Sequence, residues 1–584
     1  MSPPGTVSGL LYVTMQPQAS CTAEEFHDWY NNEHGPTRLR LPFVQNGFRY
    51  RATDLGDGTP SKALPEWLAM YDISDMNELN GESYLQLRGP PFKSEREAAT
   101  MKKIDIDRRV YDLVFDQVKP EWRGRLEDVM SEGKEQNVLV AASFRVKPGA
   151  DGQELDRWYE EEHIPMLAKV PGWRRSRRYI SSTVVKPLGG AAKPDDDVEY
   201  LALHEYAPTN GLGGPEFQAA TSTPWRTKVM DDVVLSKARR VYTHAYTFGP
   251  APRYLSTITS FTSPDGLTTT SPATPSTPHA TITSHITTPD GVTLPYSLTG
   301  NPSPHAPVLV LTNSILTTYT IWDAFISHFL SQHPSYRILR YNSRGRSPLP
   351  PSSTKPITVD LLASDIITLL DALRVPTASL CGVSLGGATV LAAALNHPDR
   401  ISAFVSCDTN ASAPADNDKA WCERIDVAEK EGATAGSLGV QPAPDTRLSP
   451  ADQVVGNELA ELTVRRWFAP ESYDGGELEA KCHAVKAAVA SNSLEGFKES
   501  VKALWEYDYS DRMKASRVKG AFVVGERDGK LPARMRGMAE RYGKDVGGAE
   551  GWEKRFLVVE GAGHLPMVER AEIVAEFVGR VLEG

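Results

Sequence analysis

One stretch near the start of this chain is written twice. "WYNNEHGPTRLRLP" from Trp29 and "WYEEEHIPMLAKVP" from Trp158 align at an offset of 129 residues (158 minus 29). The same offset pairs Tyr30 with Tyr159, Glu33 with Glu162, His34 with His163, Pro36 with Pro165, Arg49 with Arg178 and Tyr50 with Tyr179. Farther on, "EWLAMYDI" from Glu66 answers "EYLALHEY" from Glu199, and "RRVY" at Arg108 recurs at Arg239. Duplication of one unit is the simplest source. Each copy opens on a strand-like run ("LLYVTM", "VLVAASFRV"), passes into a helix ("TAEEFHDWYNNEH", "DGQELDRWYEEEH") and returns to strands, ending near "RRVYDLVF" and "RRVYTHAYTF". That order predicts α+β units with an antiparallel sheet covered by helices on one face. An open sheet of this size leaves its other face and its edges bare, and a second copy in the same chain can cover both.

The rest of the chain follows another rule. Residues 250–284 are dominated by Ser, Thr and Pro and read as a linker, although "YLSTITSFT" alternates well enough for an ordered connector. After it, apolar strands ("APVLVLTNS", "YRILRYNS", "TASLCGVS", "ISAFVSCDT", "KGAFVVGERD", "RFLVVEGAGH") alternate with helices such as "TVDLLASDIITLLDALRV". Such alternation predicts a mostly parallel doubly wound sheet with its functional loops at the carboxyl ends of the strands. At 584 residues the chain is too long for one core, and a prior of roughly 150 residues per domain suggests about four units or fewer.

Within that second half, "GVSLG" fits G-x-S-x-G, follows a strand and opens a helix, which makes Ser384 a candidate nucleophile rather than a turn residue. A nucleophilic serine needs a base and an acid that holds the base. His564 in "EGAGHLP", beyond the last apolar strand, supplies the first, and Asp528 in "VVGERDG" the second. Glu526 and Asp408 also follow strands and stand as alternatives for the acid. The oxyanion would be held by the backbone amide of Leu385 and by one from the loop after "VLVLTNS", placed by topology at Ile315.

Other chemistries find less support. The formal charge of −11 argues against broad attraction to nucleic acid or anionic lipid, with the basic run "WRRSRR" as a local exception that reads best as a solvated face. Five scattered cysteines without CxxC spacing indicate neither a disulfide framework nor a structural zinc site, so reduced thiols and a cytoplasmic location are expected. No run approaches the ~20 apolar residues of a membrane helix. The triad chemistry needs no metal and no organic cofactor, and its partner would be a small-molecule ester or lactone. Internal pairing of the two copies leaves the oligomeric state open.

Two resemblances add to these readings. "WYNNEHGP" and "WYEEEHIPML" resemble the EthD-like branch of the ferredoxin-like dimeric α/β barrels, over about 9–248, which implies a duplicated barrel in which the usual dimer forms within one chain. "YNSRGRS", "GVSLGG", "CDTNA", "LTVRRWF", "VVGERD" and "GAGHLPMVERAE" resemble α/β-hydrolases of the 3-oxoadipate enol-lactonase type. The expected layout is therefore one repeat in 1–125, a second in 126–249, a linker in 250–284, and an α/β-hydrolase in 285–584. The latter resemblance implies a helical cap at about 411–508, with Trp421, Arg424, Arg465, Trp467 and Trp505 as candidates for lining its pocket or simply packing the cap. Two departures from the family pattern, Asn342 and Arg346 where Asp and His are usual, imply an altered substrate, as does the irregular insertion "TAGSLGVQPAPDTRLSPADQ".

The expected function is a serine hydrolase acting on an ester or lactone of a cyclic or aromatic-derived metabolite. His34 and His163, read as lying at the C-terminal ends of their helices, would be favoured as imidazolium by the helix dipole and could serve as acid or base. They would then make the barrel a second enzyme, a lyase, cyclase or dehydratase. Helix capping and core packing is the other reading, and it would leave the barrel as an assembly or ligand-holding module.

Overall fold

A computed structural model describes residues 5–56, 58–122, 137–185, 198–350, 353, 356–439, 448–473, 475–476, 478–548 and 551–583. The chain divides into two units, Met1–Thr257 and Ile258–Gly584. The expected boundary between the repeats, at 125/126, lies outside the described residues.

In the first unit eight strands close into a barrel: β1 Gly9–Pro17, β2 Val44–Ala52, β3 Trp67–Ile73, β4 Ile104–Val118, β5 Val138–Val146, β6 Trp173–Ser181, β7 Glu199–Tyr206 and β8 Val234–Thr247. Around the barrel they run β1-β3-β2-β8-β5-β7-β6-β4. Each half thus has the same internal order, β4-β1-β3-β2 and β8-β5-β7-β6, and two antiparallel seams, β2 with β8 and β4 with β6, join the halves. Closure leaves neither half with a bare edge. The strand period of two separates two cores. Leu10, Tyr12, Tyr50, Leu68, Tyr111, Leu139, Tyr179, Leu203 and Tyr242, drawn from all eight strands, share the inner cluster. Leu11, Val13 and Met15, the intervening positions of β1, pack outward against Phe26, Trp29 and Tyr30 of the first helix. The run "WRRSRR" is β6, and it is no solvated face: Arg177 is 4% exposed and bonds Asp72 at 2.7 Å and Glu205 at 2.9 Å.

The helices of the repeat depart from expectation. Ala23–Trp29, capped by the Thr22 hydroxyl on the Glu25 amide, widens into a π turn at Tyr30–His34 and continues as Gly35–Leu39. Gly152–Trp158, Tyr159–His163 and Ile164–Leu167 do the same in the second copy. Pro36 and Pro165 follow these turns; proline has no N–H to give and its ring clashes with the carbonyl four residues back, and inserting a residue into the turn relieves both demands. His34 and His163 therefore sit inside continuous helices, not at their C-terminal ends.

The second unit is built on a ten-stranded sheet: β9 Phe261–Thr262, β10 Thr269–Ser271, β11 Thr281–Thr287, β12 Thr293–Gly300, β13 Val308–Thr312, β14 Arg337–Tyr341, β15 Ala378–Val383, β16 Ile401–Cys407, β17 Lys519–Gly525 and β18 Phe556–Val559. Its order is β18-β17-β16-β15-β13-β14-β12-β11-β10-β9. The stretch from β13 to β18 is parallel, whereas β9 to β12 add an antiparallel wing. This wing corrects the linker reading of 250–284. Thr268, Thr270, Ile282 and Ser284 are all buried, and the Thr268 and Ser284 hydroxyls bond at 2.7 Å. β-Branched threonine at alternate positions fits a pleated surface, so a composition suggestive of low complexity here makes strands.

Between β16 and β17 the chain is mainly helical, with Asn417–Glu431, Asn457–Trp467, Glu479–Ala490 and Leu494–Val501. Its entry and exit are tied together: the Ala413 amide donates to the Tyr507 carbonyl and the Tyr509 amide to the Ala411 carbonyl, both at 2.8 Å. Part of the irregular insertion, residues 440–447, lies outside the described residues.

Candidate active site

Strands β15 to β18 are parallel neighbours, so their carboxyl ends share one edge of the sheet. Ser384 follows β15 directly, Asp408 follows β16, Asp528 lies three residues past β17, and His564 five past β18. Ligand-binding loops of open α/β sheets gather at this edge.

Ser384 occupies the turn between β15 and the helix Leu385–Asn396 with φ 58° and ψ −118°, a conformation an L-residue adopts at a cost of about 1–3 kcal/mol. The surroundings impose it. The Ser384 amide donates to the Cys407 carbonyl at 2.9 Å, and the Gly386 amide to the Asn313 carbonyl at 3.0 Å. A Cβ on Gly382 would lie 2.1 Å from the Thr312 hydroxyl, and one on Gly386 2.7 Å from the Asn313 carbonyl oxygen, so the approach of backbone to backbone requires glycine at both places. Leu385 is the first residue of that helix, where the amide has no partner within the helix. Ile315 is buried in the loop after β13, the loop that the Gly386 amide grips.

Acid and base meet. The Nδ1 of His564 lies 2.6 Å from Oδ2 of Asp528, both half-buried. Burial pushes the Asp528 carboxyl up, but the charge and hydrogen bond of His564 outweigh it and hold the group below its ordinary value. Asp408 behaves oppositely. It is 1% exposed, and its Oδ1 accepts from the Gly525 amide at 2.8 Å. Burial first, and the neighbouring charge of Asp528 second, drive its carboxyl well above the usual range, and its Oδ2 is buried without a hydrogen-bond partner among the described residues. Glu526, the other alternative acid, is exposed and accepts from the Gly561 amide. Ligand atoms of Asp408, Asp528 and His564 lie within 4.8 Å of one another, a set that could face a cation. The His564 Nδ1 and one oxygen of each carboxyl are, however, already committed to the bonds just given.

A family model described as "Alpha/beta hydrolase family" matches residues 309–577, a span that includes Ser384, Asp408, Asp528 and His564. This second unit is an α/β-hydrolase enzyme. The chain is similar to 3-oxoadipate enol-lactonase 2 of Acinetobacter baylyi, 27% identical over 225 residues, which is 38% of this chain and 72% of that protein. It is similar also to 3-oxoadipate enol-lactonase 1 of the same organism, 24% identical over 229 residues, 39% of this chain and 74% of that one. Among solved structures, a hydrolase from Pseudomonas aeruginosa PA01 is 26% identical with a TM-score of 0.41, covering 52% of this chain and 98% of the other.

Of the hydrolase's candidate pocket residues, Trp467 lies against the site: its ring stacks on His564 at 5.8 Å, and its carbonyl accepts from the His564 amide at 2.6 Å. Trp421 is buried against Phe497 with the Arg424 guanidinium 4.4 Å from its ring, and Trp505 is half-buried with an indole N–H that meets no acceptor among the described residues. Arg465 turns elsewhere, to Glu461 at 2.8 Å and the Tyr473 ring at 4.1 Å. Its neighbour Arg466, a step of about 100° round the helix, is the arginine whose charge acts on Asp528. Glu569 was not foreseen: buried, it accepts from the Gly563 amide at 2.6 Å and the Ala469 amide at 3.0 Å, pinning the residue before His564 to the helical segment. Its signal was the E in "GAGHLPMVERAE".

In the barrel the two histidines have diverged. His34 Nδ1 bonds Glu97 at 2.9 Å, and Arg38 bonds the same oxygen at 3.1 Å. His163 Nδ1 lies 3.0 Å from the Ala220 carbonyl. Burial lowers both imidazoles to about 4. Both are therefore neutral at physiological pH, contrary to the helix-dipole expectation, because desolvation outweighs any favour a helix end could give. Beside His34 a cavity of about 10 Å³ is lined by Tyr30, Tyr71 and Arg108.

No helix among the described residues is long and apolar enough to cross a membrane.

Proposed function

We propose that the hydrolase cleaves an ester or lactone of a cyclic or aromatic-derived metabolite, with Ser384 as nucleophile, His564 as general base and Asp528 as its acid. The observation that carries the reading is the 2.6 Å bond between Asp528 and His564 on the edge where Ser384 stands in its strained turn. Asp528 fixes the imidazole with a proton on Nδ1 and leaves Nε2 to take the serine proton. The serine oxygen then attacks the carbonyl carbon, and the developing oxyanion is held by the amides of Leu385 and Ile315. His564 returns the proton to the leaving alcohol or enol, and water activated by the same base releases the acid. The lactone class is suggested by the names of the Acinetobacter relatives. A cytoplasmic setting accompanies this reading, in keeping with five free cysteine thiols.

Treatment of the full chain with a fluorophosphonate should add one label, at Ser384, as read by intact mass and peptide mapping. Ser384→Ala should take none and lose ester and lactone turnover. Undiminished turnover in that variant overturns the reading.

For the barrel we favour a duplicated ferredoxin-like, EthD-like module that holds or assembles without chemistry. Ligand pockets run to ~300–1,000 Å³, and the cavity of about 10 Å³ beside His34 has room for little more than a water.

A further inference from the structure

The loop after β14 carries two buried arginines in opposite circumstances. Arg344 meets two carboxylates: its Nε and Nη2 bond Asp365 at 2.7 and 2.6 Å, and its Nη1 and Nη2 bond Asp290 at 2.8 and 3.3 Å. Arg346, two residues on, meets none among the described residues. It is 2% exposed, and its one hydrogen bond runs from Nη2 to the Ser314 carbonyl at a long 3.4 Å. Its Nε and Nη1 have no acceptor among the described residues. Burial lowers its pKa to about 10, which leaves it cationic at neutral pH. An arginine is long enough to carry its head to water, yet this one stays inside without a counter-charge. Such an arrangement is costly unless an anion completes it.

The surroundings say where that anion would sit. Arg346 lines a cavity of about 200 Å³ with Val292, Pro295, Asn342, Ser343 and Leu349. Whole-ligand pockets are ~300–1,000 Å³, so this volume suits one end of a molecule. The carbonyl that Arg346 touches belongs to Ser314, the residue before Ile315, in the loop that the Gly386 amide holds against the serine turn. The Ser314 hydroxyl is also buried and without a partner among the described residues. Among the described residues, the N–H groups on Nε and Nη1 and the Ser314 hydroxyl thus stand unanswered beside the loop expected to hold the oxyanion.

We propose that Arg346, assisted by the Ser314 hydroxyl, binds an ionised carboxylate carried by the ester or lactone that the hydrolase cleaves, and so selects anionic substrates. This rests on the reading of Ser384 as the nucleophile. Guanidinium and carboxylate match in shape and charge, and the pairing gains from the low polarity around it.

The test compares monophenyl esters of succinic, glutaric and adipic acid, each with a free carboxylate, against phenyl butyrate, valerate and hexanoate. Full-length wild type should prefer the charged member of at least one pair in kcat/KM. In Arg346→Met that preference should fall by about 10²-fold, the loss typical when one partner of a buried charge pair is removed, and it should fall mainly through KM. Arg346→Lys should restore part of it. A preference unchanged in Arg346→Met, or a wild type indifferent to the carboxylate, overturns the proposal. Should Arg346→Met fail to fold, free glutarate must protect wild-type Ser384 from the fluorophosphonate while neutral glutaramide does not, and equal or absent protection overturns it. Should wild type hydrolyse neither set and take no label, the nucleophile reading has failed. Glutarate binding by calorimetry, present in wild type and lost in Arg346→Met, then decides the anion site alone.

Discussion

Asp408 and Asp528 both follow strands on the carboxyl edge, and their opposite pKa shifts make opposite predictions for the same substitution. Asp408 accepts from the Gly525 amide through Oδ1, and burial together with the charge of Asp528 favours its protonated form. Asparagine keeps its oxygen on that amide and, like the protonated acid, brings no charge beside Asp528. Asp408→Asn should therefore keep kcat within about 3-fold and stability within about 1 kcal/mol, the net worth of one hydrogen bond. Asp408→Ala leaves the buried Gly525 amide without an acceptor and opens a small void, which together should cost about 2–4 kcal/mol. Asp528→Asn keeps the shape but allows the wrong imidazole tautomer, and kcat should fall about 10⁴-fold. The assay is phenyl ester hydrolysis by the three variants across pH, with urea unfolding of each followed by tryptophan fluorescence. A 10²-fold or greater loss in Asp408→Asn, or activity near wild type in Asp528→Asn, would show that the acid is Asp408 and refute the assignment of charge within the pair.

Glu569→Gln can satisfy only one of the two amides that Glu569 now serves, and it turns an NH₂ against the other. Unfolding free energy should drop by about 2–3 kcal/mol and kcat by about 10-fold, because Gly563 no longer anchors the base next to it; an unchanged urea midpoint would contradict this. His163 has its folded pKa lowered from 6.5 to about 4 by burial first, with Arg226 and Arg178 adding to it against the Ala220 bond. Between those values the unfolded chain binds a proton that the folded barrel does not, so stability is complete above pH 6.5 and is lost as pH falls towards 4. The full loss is about 3 kcal/mol. Hydrogen exchange in β5 and β7 measured from pH 7 to 4 should show it, and a His163→Gln variant with the same pH slope would refute the assignment.

Much of the edge was readable from local grammar. Strand, G-x-S-x-G and helix in succession put Ser384 in its turn, and the loops after the next strands put Asp528 and His564 where they meet. The repeat likewise announced two halves of one strand order. What failed to show did so for identifiable reasons. Thr270 and Ser284 read as linker because composition masked an alternation in short strands that pair largely with one another within that same stretch. His34 and His163 read as helix ends because a widened turn that accommodates the proline two residues on has no letter of its own. Arg465 and Arg466 differ by one step round a helix whose phase only the packed neighbour sets.

Charge state was the least legible property, since it belongs to the enclosure and not to the side chain. Asp408 and Asp528 are the same residue after neighbouring strands, yet one carboxyl is pushed well above its ordinary range and the other held below it. Arg344 and Arg346 are the same residue two positions apart, yet one has two carboxylates and the other has none among the described residues. In each pair the difference is made by segments distant in sequence: β17 supplies the amide on Asp408, and Asp290 and Asp365 close on Arg344 from either side of the loop in sequence. A desolvated group left without its complement among the described residues is therefore evidence that packing alone cannot explain, and at Arg346 it points to a missing negative charge beside the loop of Ser314 and Ile315.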